Sequence, residues 1–366
     1  MKELKQPVHG GRVWDAAEKL NINVEKIIDF STNTNPLGPP KQLITTLIKN
    51  INTVAYYPDP DYRTLRMELA RFYNINEENI IVGNGATELI HLFAQTFISE
   101  NDRVIIPIPT FEEYQYASQK VSARIIYIKS KNNMHINIDK IISKMNNTKV
   151  IFVCNPNNPT GILEKQEDIL NLIKEANKRN VLVFLDESFM DLVVTKKPYT
   201  LIRSVNMFDN LFIIRSLTKI FSIPGLRIGF GVSSKYLIKE LNKHKIPWNV
   251  STLIEKTIPE ALKYARQYLK TSRKIIKQER NYMISELSKI DGIKVISGDA
   301  NFLFIDISET GLTSSELADQ LIKHRILIRD CSTFTGLNNS YIRIAIKKHR
   351  ENILLINALK TIVIRK

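Results

Sequence analysis

Residues 210–227 read AsnLeuPheIleIleArgSerLeuThrLysIlePheSerIleProGlyLeuArg, and this stretch decides the fold. The apolar run from Asn210 to Ile214 has the length and β-branched content of a buried strand. It gives way at once to Ser216, Thr218, Lys219 and Arg227. In an open α/β sheet, ligands gather beyond the carboxyl ends of the strands, which is where these residues fall. A lysine there can form a Schiff base with a carbonyl cofactor, provided that its amine, ordinarily of pKa about 10.4, spends time uncharged. Ser216, Thr218 and Arg227 add hydroxyl donors and a forked cation suited to a phosphate. Taken alone, the same residues also describe a surface loop with one exposed lysine.

Working outward, Ile/Val-rich runs at 79–82, 103–107, 149–153, 181–185 and 226–232 also read as buried strands. Stretches with helical spacing at 87–98 and 165–178 lie between them, the alternation of an α/β sheet. Several runs end in residues with chemistry. Asp186 closes an apolar run in which an aspartate is costly to bury without a partner, and a cationic ring nitrogen is one such partner, an N-cap another. GlyAsnGlyAlaThrGlu, 83–88, opens a helix whose first amides, at Gly85, Ala86 and Thr87, can cradle a phosphate. AsnProAsnAsnProThrGly, 155–161, places Asn158 to bond a phenolic oxygen or to close a turn. Phe111, in ProThrPheGluGluTyr, can stack on a flat ring or fill a core.

After about residue 245 the pattern changes. An amphipathic stretch at 251–288 leads into shorter strands near 302–305 and 341–346. The expected organisation is an arm or lid over residues 1–40 that packs with the small domain, a large domain over 41–246, and a smaller α+β domain over 247–366.

A composition of 43% hydrophobic and 24% charged residues argues for a globular chain and against disorder. The formal net charge of +15 raises nucleic acid, a membrane surface or small anionic substrates as partners. Basic residues are interspersed with Glu, Asn and Ile along helical stretches, which favours solvated faces and a positive field for small anions, with no nucleic acid or membrane partner. Two cysteines, Cys154 and Cys331, provide neither a metal cluster nor a disulfide framework. With no signal-peptide pattern, the expectation is a cytoplasmic protein without a metal.

Together these segments resemble the aspartate-aminotransferase-like, fold type I family of pyridoxal 5'-phosphate enzymes, in the family's order and over nearly the whole chain. The resemblance implies a large domain with a mostly parallel sheet, a smaller α+β domain, and pyridoxal 5'-phosphate as cofactor. It implies Lys219 as the Schiff-base lysine, Asp186 opposite the pyridine nitrogen, Asn158 at the phenolic oxygen and Phe111 stacked on the ring. It also puts Ala86, Thr87, Ser216, Thr218 and Arg227 around the cofactor phosphate. Tyr57, in TyrTyrProAspPro, matches a tyrosine that reaches the neighbouring subunit's cofactor in a homodimer.

Within the family the wording is similar to the histidinol-phosphate aminotransferases and more so to the threonine-phosphate decarboxylases of cobalamin biosynthesis. HisGlyGly at 9–11, ProTrpAsnValSer at 247–251, ArgAspCysSerThrPhe at 329–334, and Phe189 where aminotransferases usually have a tyrosine favour the second branch. That branch converts O-phospho-L-threonine to (R)-1-aminopropan-2-yl phosphate and CO2; the alternative is transamination. Arg329 and Arg343 are the expected anion readers, and His9, Gly10 and Gly11 a candidate phosphate nest with Asn33 and Asn158 as further donors.

Overall fold

In the computed structural model, residues 4, 6–194, 199–296 and 298–364 are described. Residues 1–3 and 5 of the expected arm, 195–198 of the expected large domain, and 297, 365 and 366 of the expected small domain lie outside the described residues. After a two-residue strand β1 (Ile28–Asp29), the strands of the main sheet follow in chain order as β2 (Ile80–Gly83), β3 (Arg103–Ile108), β4 (Arg124–Lys129), β5 (Thr148–Cys154), β6 (Leu182–Asp186), β7 (Leu211–Arg215) and β8 (Gly229–Ser233). Their spatial order is β2-β8-β7-β6-β5-β3-β4. β8 runs antiparallel to both neighbours, while β7, β6, β5, β3 and β4 pair in parallel. The α/β class and the mostly parallel sheet are thus as the sequence indicates.

The central strands are apolar throughout because both faces are covered. Phe152, Phe184 and Phe212 pack on one side with Leu89 and Phe93 of the helix Ala86–Phe97. Val153, Leu185 and Ile213 pack on the other with Ile169 and Ile173 of the helix Gln166–Asn177. Two differences from the expected strands have simple causes. β8 starts at Gly229 rather than 226, because Arg227 sits at a φ of 53°, outside the extended region. β4 was not among the expected strands: its apolar run is only the four residues 125–128, between Arg124 and Lys129, and at the edge of the sheet it leaves Tyr127 exposed.

The amphipathic stretch is one 36-residue helix, Thr252–Leu287. Ile254, Ile258, Leu262, Leu269 and Ile276 belong to the large core, whereas Met283 and Leu287 belong to the smaller one. The expected boundary near Pro247 therefore precedes a helix most of whose length is anchored in the large core. The smaller sheet contains β9 (Lys294–Ile296), β10 (Phe302–Asp306), β12 (Arg329–Asp330) and β13 (Tyr341–Ala345) in the antiparallel order β12-β13-β10-β9, and β11 (Ile326–Leu327) pairs in parallel with β1. Phe30 sits in the core of this unit, and its carbonyl accepts from Ala345 N–H at 2.8 Å. Residues 28–30 of the arm are therefore stitched to the small sheet. Among the described residues, no helix is long and apolar enough to cross a membrane.

Candidate active site

The carboxyl ends of β2, β3, β5, β6 and β7 share one rim of the sheet, and β8, running the other way, brings its beginning to the same rim. A cavity of about 400 Å³ opens there. Its wall contains His9, Gly10, Gly11, Asn33, Ala86, Thr87, Phe111, Asn158, Asp186, Ser216, Thr218, Lys219, Arg227, Arg329 and Arg343, residues spread over the whole chain.

Lys219 lies on the short helix Leu217–Phe221 directly after β7. Its Nζ sits 6.0 Å from the centre of the Phe189 ring, which itself meets Phe302 edge-on at 5.2 Å. Burial in these surroundings, with the nearby guanidiniums of Arg343 and Arg227, lowers the Lys219 amine to about 8. A neutral, nucleophilic amine is therefore accessible near physiological pH.

Asp186 ends β6 and is buried. Its Oδ1 accepts from Ser188 N–H at 2.8 Å and its Oδ2 from the Tyr114 hydroxyl at 2.6 Å. Burial still raises its pKa, only partly offset by these bonds. No basic side chain lies within ion-pair distance among the described residues. A carboxylate held this way is complementary to a cation arriving through the cavity.

At the rim of β2, the helix Ala86–Phe97 presents its first turn to the cavity. Gly85 has a φ of 81°, and a Cβ there would meet Arg227 Nη2 at 2.7 Å, so its lack of a side chain lets that guanidinium close over the helix start. The Ser216 side chain and the Arg227 fork face the same cavity, giving an anion cradle of amides and cation. The Thr218 hydroxyl is engaged with its own chain, donating to Ile228 O at 3.1 Å and accepting from Ile228 N–H.

Arg343 and Arg329 stand on neighbouring strands of the small sheet. Arg343 donates to Asn158 Oδ1 and, at 2.7 Å, to the carbonyl of Ser31. With its amide turned to accept, Asn33 lies 3.2 Å from Arg343 Nε. Burial lowers the Arg343 guanidinium to about 10, still charged in the neutral range. Arg329 donates to the Val8 carbonyl at 2.7 Å and to Thr333 Oγ1 at 2.8 Å. The candidate nest in the arm reaches the cavity wall with some of its donors in use. Gly11 N–H is given to Ser31 Oγ at 2.7 Å, and His9 Nε2 lies 2.6 Å from Glu113 Oε1. A Cβ on Gly10 would lie 2.4 Å from Ser31 O, so that close approach requires glycine.

Tyr57 does not line this cavity: it is 78% exposed and packs against Trp248 with ring centres 4.6 Å apart and the planes tilted by 32°. Gly85 also stands behind the wall rather than in it. Sequence reasoning did not single out Tyr114, Glu113, Ser31 or Phe334. The first two lie in the quoted ProThrPheGluGluTyr, and their spacing from Phe111, across the start of the helix Glu113–Lys120, was the available signal. Phe334 closes the quoted ArgAspCysSerThrPhe, and Ser31 falls within the expected arm.

Pyridoxal 5'-phosphate needs an amine for its aldehyde, a carboxylate for its ring nitrogen, a flat apolar face and a phosphate cradle. Lys219, Asp186, Phe111 and the Ala86 helix start with Arg227 provide those four at one cavity.

The profile of the family described as aminotransferase class I and II matches residues 25–359. A protein of Caldanaerobacter subterraneus subsp. tengcongensis, provisionally named threonine-phosphate decarboxylase, is 36% identical over 361 residues, covering 98% of this chain and 95% of that one. The solved histidinol-phosphate aminotransferase of Clostridium acetobutylicum superposes with a TM-score of 0.87 at 31% identity, covering 93% of this chain and all of that one. L-threonine-O-3-phosphate decarboxylase of Porphyromonas gingivalis superposes with a TM-score of 0.82 at 29% identity, over 93% of this chain and all of that one.

Proposed function

The chain belongs to the class I and II aminotransferase family, whose cofactor is pyridoxal 5'-phosphate, and from that membership we propose that it removes CO2 from O-phospho-L-threonine to give (R)-1-aminopropan-2-yl phosphate. The observation that carries the proposal is Phe189. Its ring, not a phenol, faces Lys219 at the cavity wall, so this position offers no hydroxyl to direct proton traffic. Similarity to proteins named for the decarboxylation supports the same reading.

When bound, the cofactor supplies a protonated ring that accepts the electron pair of the bond broken at Cα. The residues of this chain would divide the remaining work. Lys219 would hold the cofactor covalently and, when displaced by substrate, carry at Nζ the proton that Cα takes up as CO2 leaves. Asp186 would keep the ring nitrogen charged. At an effective dielectric near 20, a pair about 4 Å apart gains roughly 4 kcal/mol before desolvation is subtracted. Asn158 would donate to the phenolic oxygen through Nδ2, its Oδ1 being taken by Arg343. Phe111 would stack on the ring, and Ala86, Thr87, Ser216 and Arg227 would hold the phosphate, with Thr218 fixing the turn through Ile228. Arg329 and Arg343 would bind the two anions of the substrate, with His9, Gly10, Gly11 and Asn33 closing the far side. The bond aligned perpendicular to the ring is the one that breaks, so anchoring both anions selects the reaction.

We place the enzyme in the cytoplasm as a homodimer, in which Tyr57 reaches the other subunit's cofactor. Free, buried Cys154 and Cys331 fit a reducing compartment. A second reading, histidinol-phosphate transamination, is favoured by the superposition on the C. acetobutylicum enzyme. Incubation with O-phospho-L-threonine in the absence of any keto acid separates the two. CO2 release with stoichiometric aminopropanol phosphate is expected. Fast amino transfer from histidinol phosphate to 2-oxoglutarate without CO2 release would overturn the decarboxylase reading.

A further inference from the structure

Glu113 opens the helix Glu113–Lys120 two residues after Phe111, and its side chain is only 6% exposed. Both carboxylate oxygens are occupied by imidazoles: Oε1 by His9 Nε2 at 2.6 Å and Oε2 by His91 Nε2 at 2.7 Å. His91 belongs to the helix Ala86–Phe97, whereas His9 belongs to the arm. The His9 ring also lies 5.7 Å from Phe111, centre to centre. A carboxylate within hydrogen-bond reach of both rings fixes which nitrogen carries the proton: Nε2–H donates, and Nδ1 has no hydrogen bond to the described residues. Burial opposes the charge on Glu113, but the two imidazoles overcome it and bring the carboxyl to about 2. The neighbouring Glu112 grips the small domain in the same manner, accepting from Thr335 N–H at 2.8 Å.

We propose that Glu113 is a positioning residue that sets the substrate affinity of this enzyme by clamping His9, and with it the backbone of the arm at Gly10 and Gly11, against the wall of the cavity. The inference rests on the reading that the cavity takes a phosphorylated amine, and it deepens that reading by naming what orients the arm. Among the described residues, three hydrogen bonds hold residues 8–11 in place: Glu113 on His9, Arg329 on the Val8 carbonyl and Ser31 on Gly11 N–H. Of these, the bond to His9 alone fixes a side chain, and it is charge-assisted, the stronger class of hydrogen bond. Glu113 itself does not line the cavity and touches no reacting atom.

The test is a double-mutant cycle on the holoenzyme with Glu113→Gln, His9→Asn and the two combined, read as KM and kcat for O-phospho-L-threonine. Loss of one charge-assisted bond predicts a KM about 10- to 100-fold higher in Glu113→Gln, with kcat within about threefold and the absorbance of the bound cofactor unchanged. Because Glu113 acts through His9, the double variant should match His9→Asn alone. Should Glu113→Gln fail to fold, Glu113→Asp, one methylene too short to reach, replaces it in the same cycle. Multiplying effects in the double variant, or a loss confined to kcat, would overturn the clamp. A wild type that turns over neither phosphothreonine nor histidinol phosphate fails differently, removing the phosphorylated-amine reading itself.

Discussion

Arg329 and Arg343 are register partners across β12 and β13, both buried at the cavity, and neither lies within ion-pair distance of a carboxylate among the described residues. Two guanidiniums side by side in a desolvated place repel each other, and both are pushed below their ordinary range, chiefly by burial. The arrangement becomes favourable when anions arrive, and a substrate with a carboxylate and a phosphate brings one for each.

Arg343→Ala and Arg329→Ala should each lower kcat/KM for phosphothreonine by about 100-fold, the scale of a lost buried charge contact. The cofactor absorbance should persist, since neither arginine lies in the cofactor cradle. Arg329→Lys should restore only part of the loss, because an ammonium lacks the fork. Steady-state kinetics with parallel spectra provide the measurement, and loss of the chromophore in either variant would reassign that arginine to the cofactor.

Lys219→Ala should leave no lysine that borohydride can fix to the cofactor, whereas reduction of the wild type followed by peptide mapping should label Lys219. Label on any other lysine would refute the assignment.

The lowered Lys219 amine predicts a pH dependence of cofactor capture by the apoprotein. Only the neutral amine attacks, so the rate should rise about tenfold per pH unit below the Lys219 value of about 8 and level off above it. A lysine in water would keep climbing towards about 10.4. Stopped-flow absorbance after mixing with pyridoxal 5'-phosphate reads the curve, and a plateau absent until pH 10 would mean that Lys219 is solvated.

Asp186→Ala should retain some cofactor but lose turnover by on the order of 10³-fold, which corresponds to the roughly 4 kcal/mol gross interaction given above. Near-normal turnover would take Asp186 out of the mechanism.

Tyr57 and Trp248 form an exposed aromatic pair, Val54 and Ile246, near them in the chain, are exposed as well, and this surface is where a second subunit is expected. Sedimentation should give a two-chain mass. Mixing Lys219→Ala with Tyr57→Ala subunits should restore activity towards about a quarter of the wild type, since half the dimers would then hold one intact site. No recovery on mixing would place Tyr57 outside the partner's site.

The rim residues were legible because each stands next to a strand whose apolar run is local in sequence: Lys219 after β7, Asp186 at the end of β6, Phe111 after β3. What was not legible lies in pairs remote along the chain. Tyr114 and Asp186 are 72 residues apart and Glu113 and His9 are 104 apart, and no local pattern announces such meetings. The direction of β8 was hidden for another reason. An apolar run has no polarity, so only the fold shows that its first residue, rather than its last, reaches the rim.

The helix Thr252–Leu287 has a further consequence. At 1.5 Å per residue it is a rod about 54 Å long, embedded in one core for most of its length and in the other at its end. A rod anchored this way acts as a lever, so that a bend near residue 280 would swing the small sheet, and with it Arg329 and Arg343, against a stationary Lys219 and Asp186. It also means that severing the chain before the helix would leave the large unit without the apolar face that seals it, so the two units cannot be expected to survive as separate pieces.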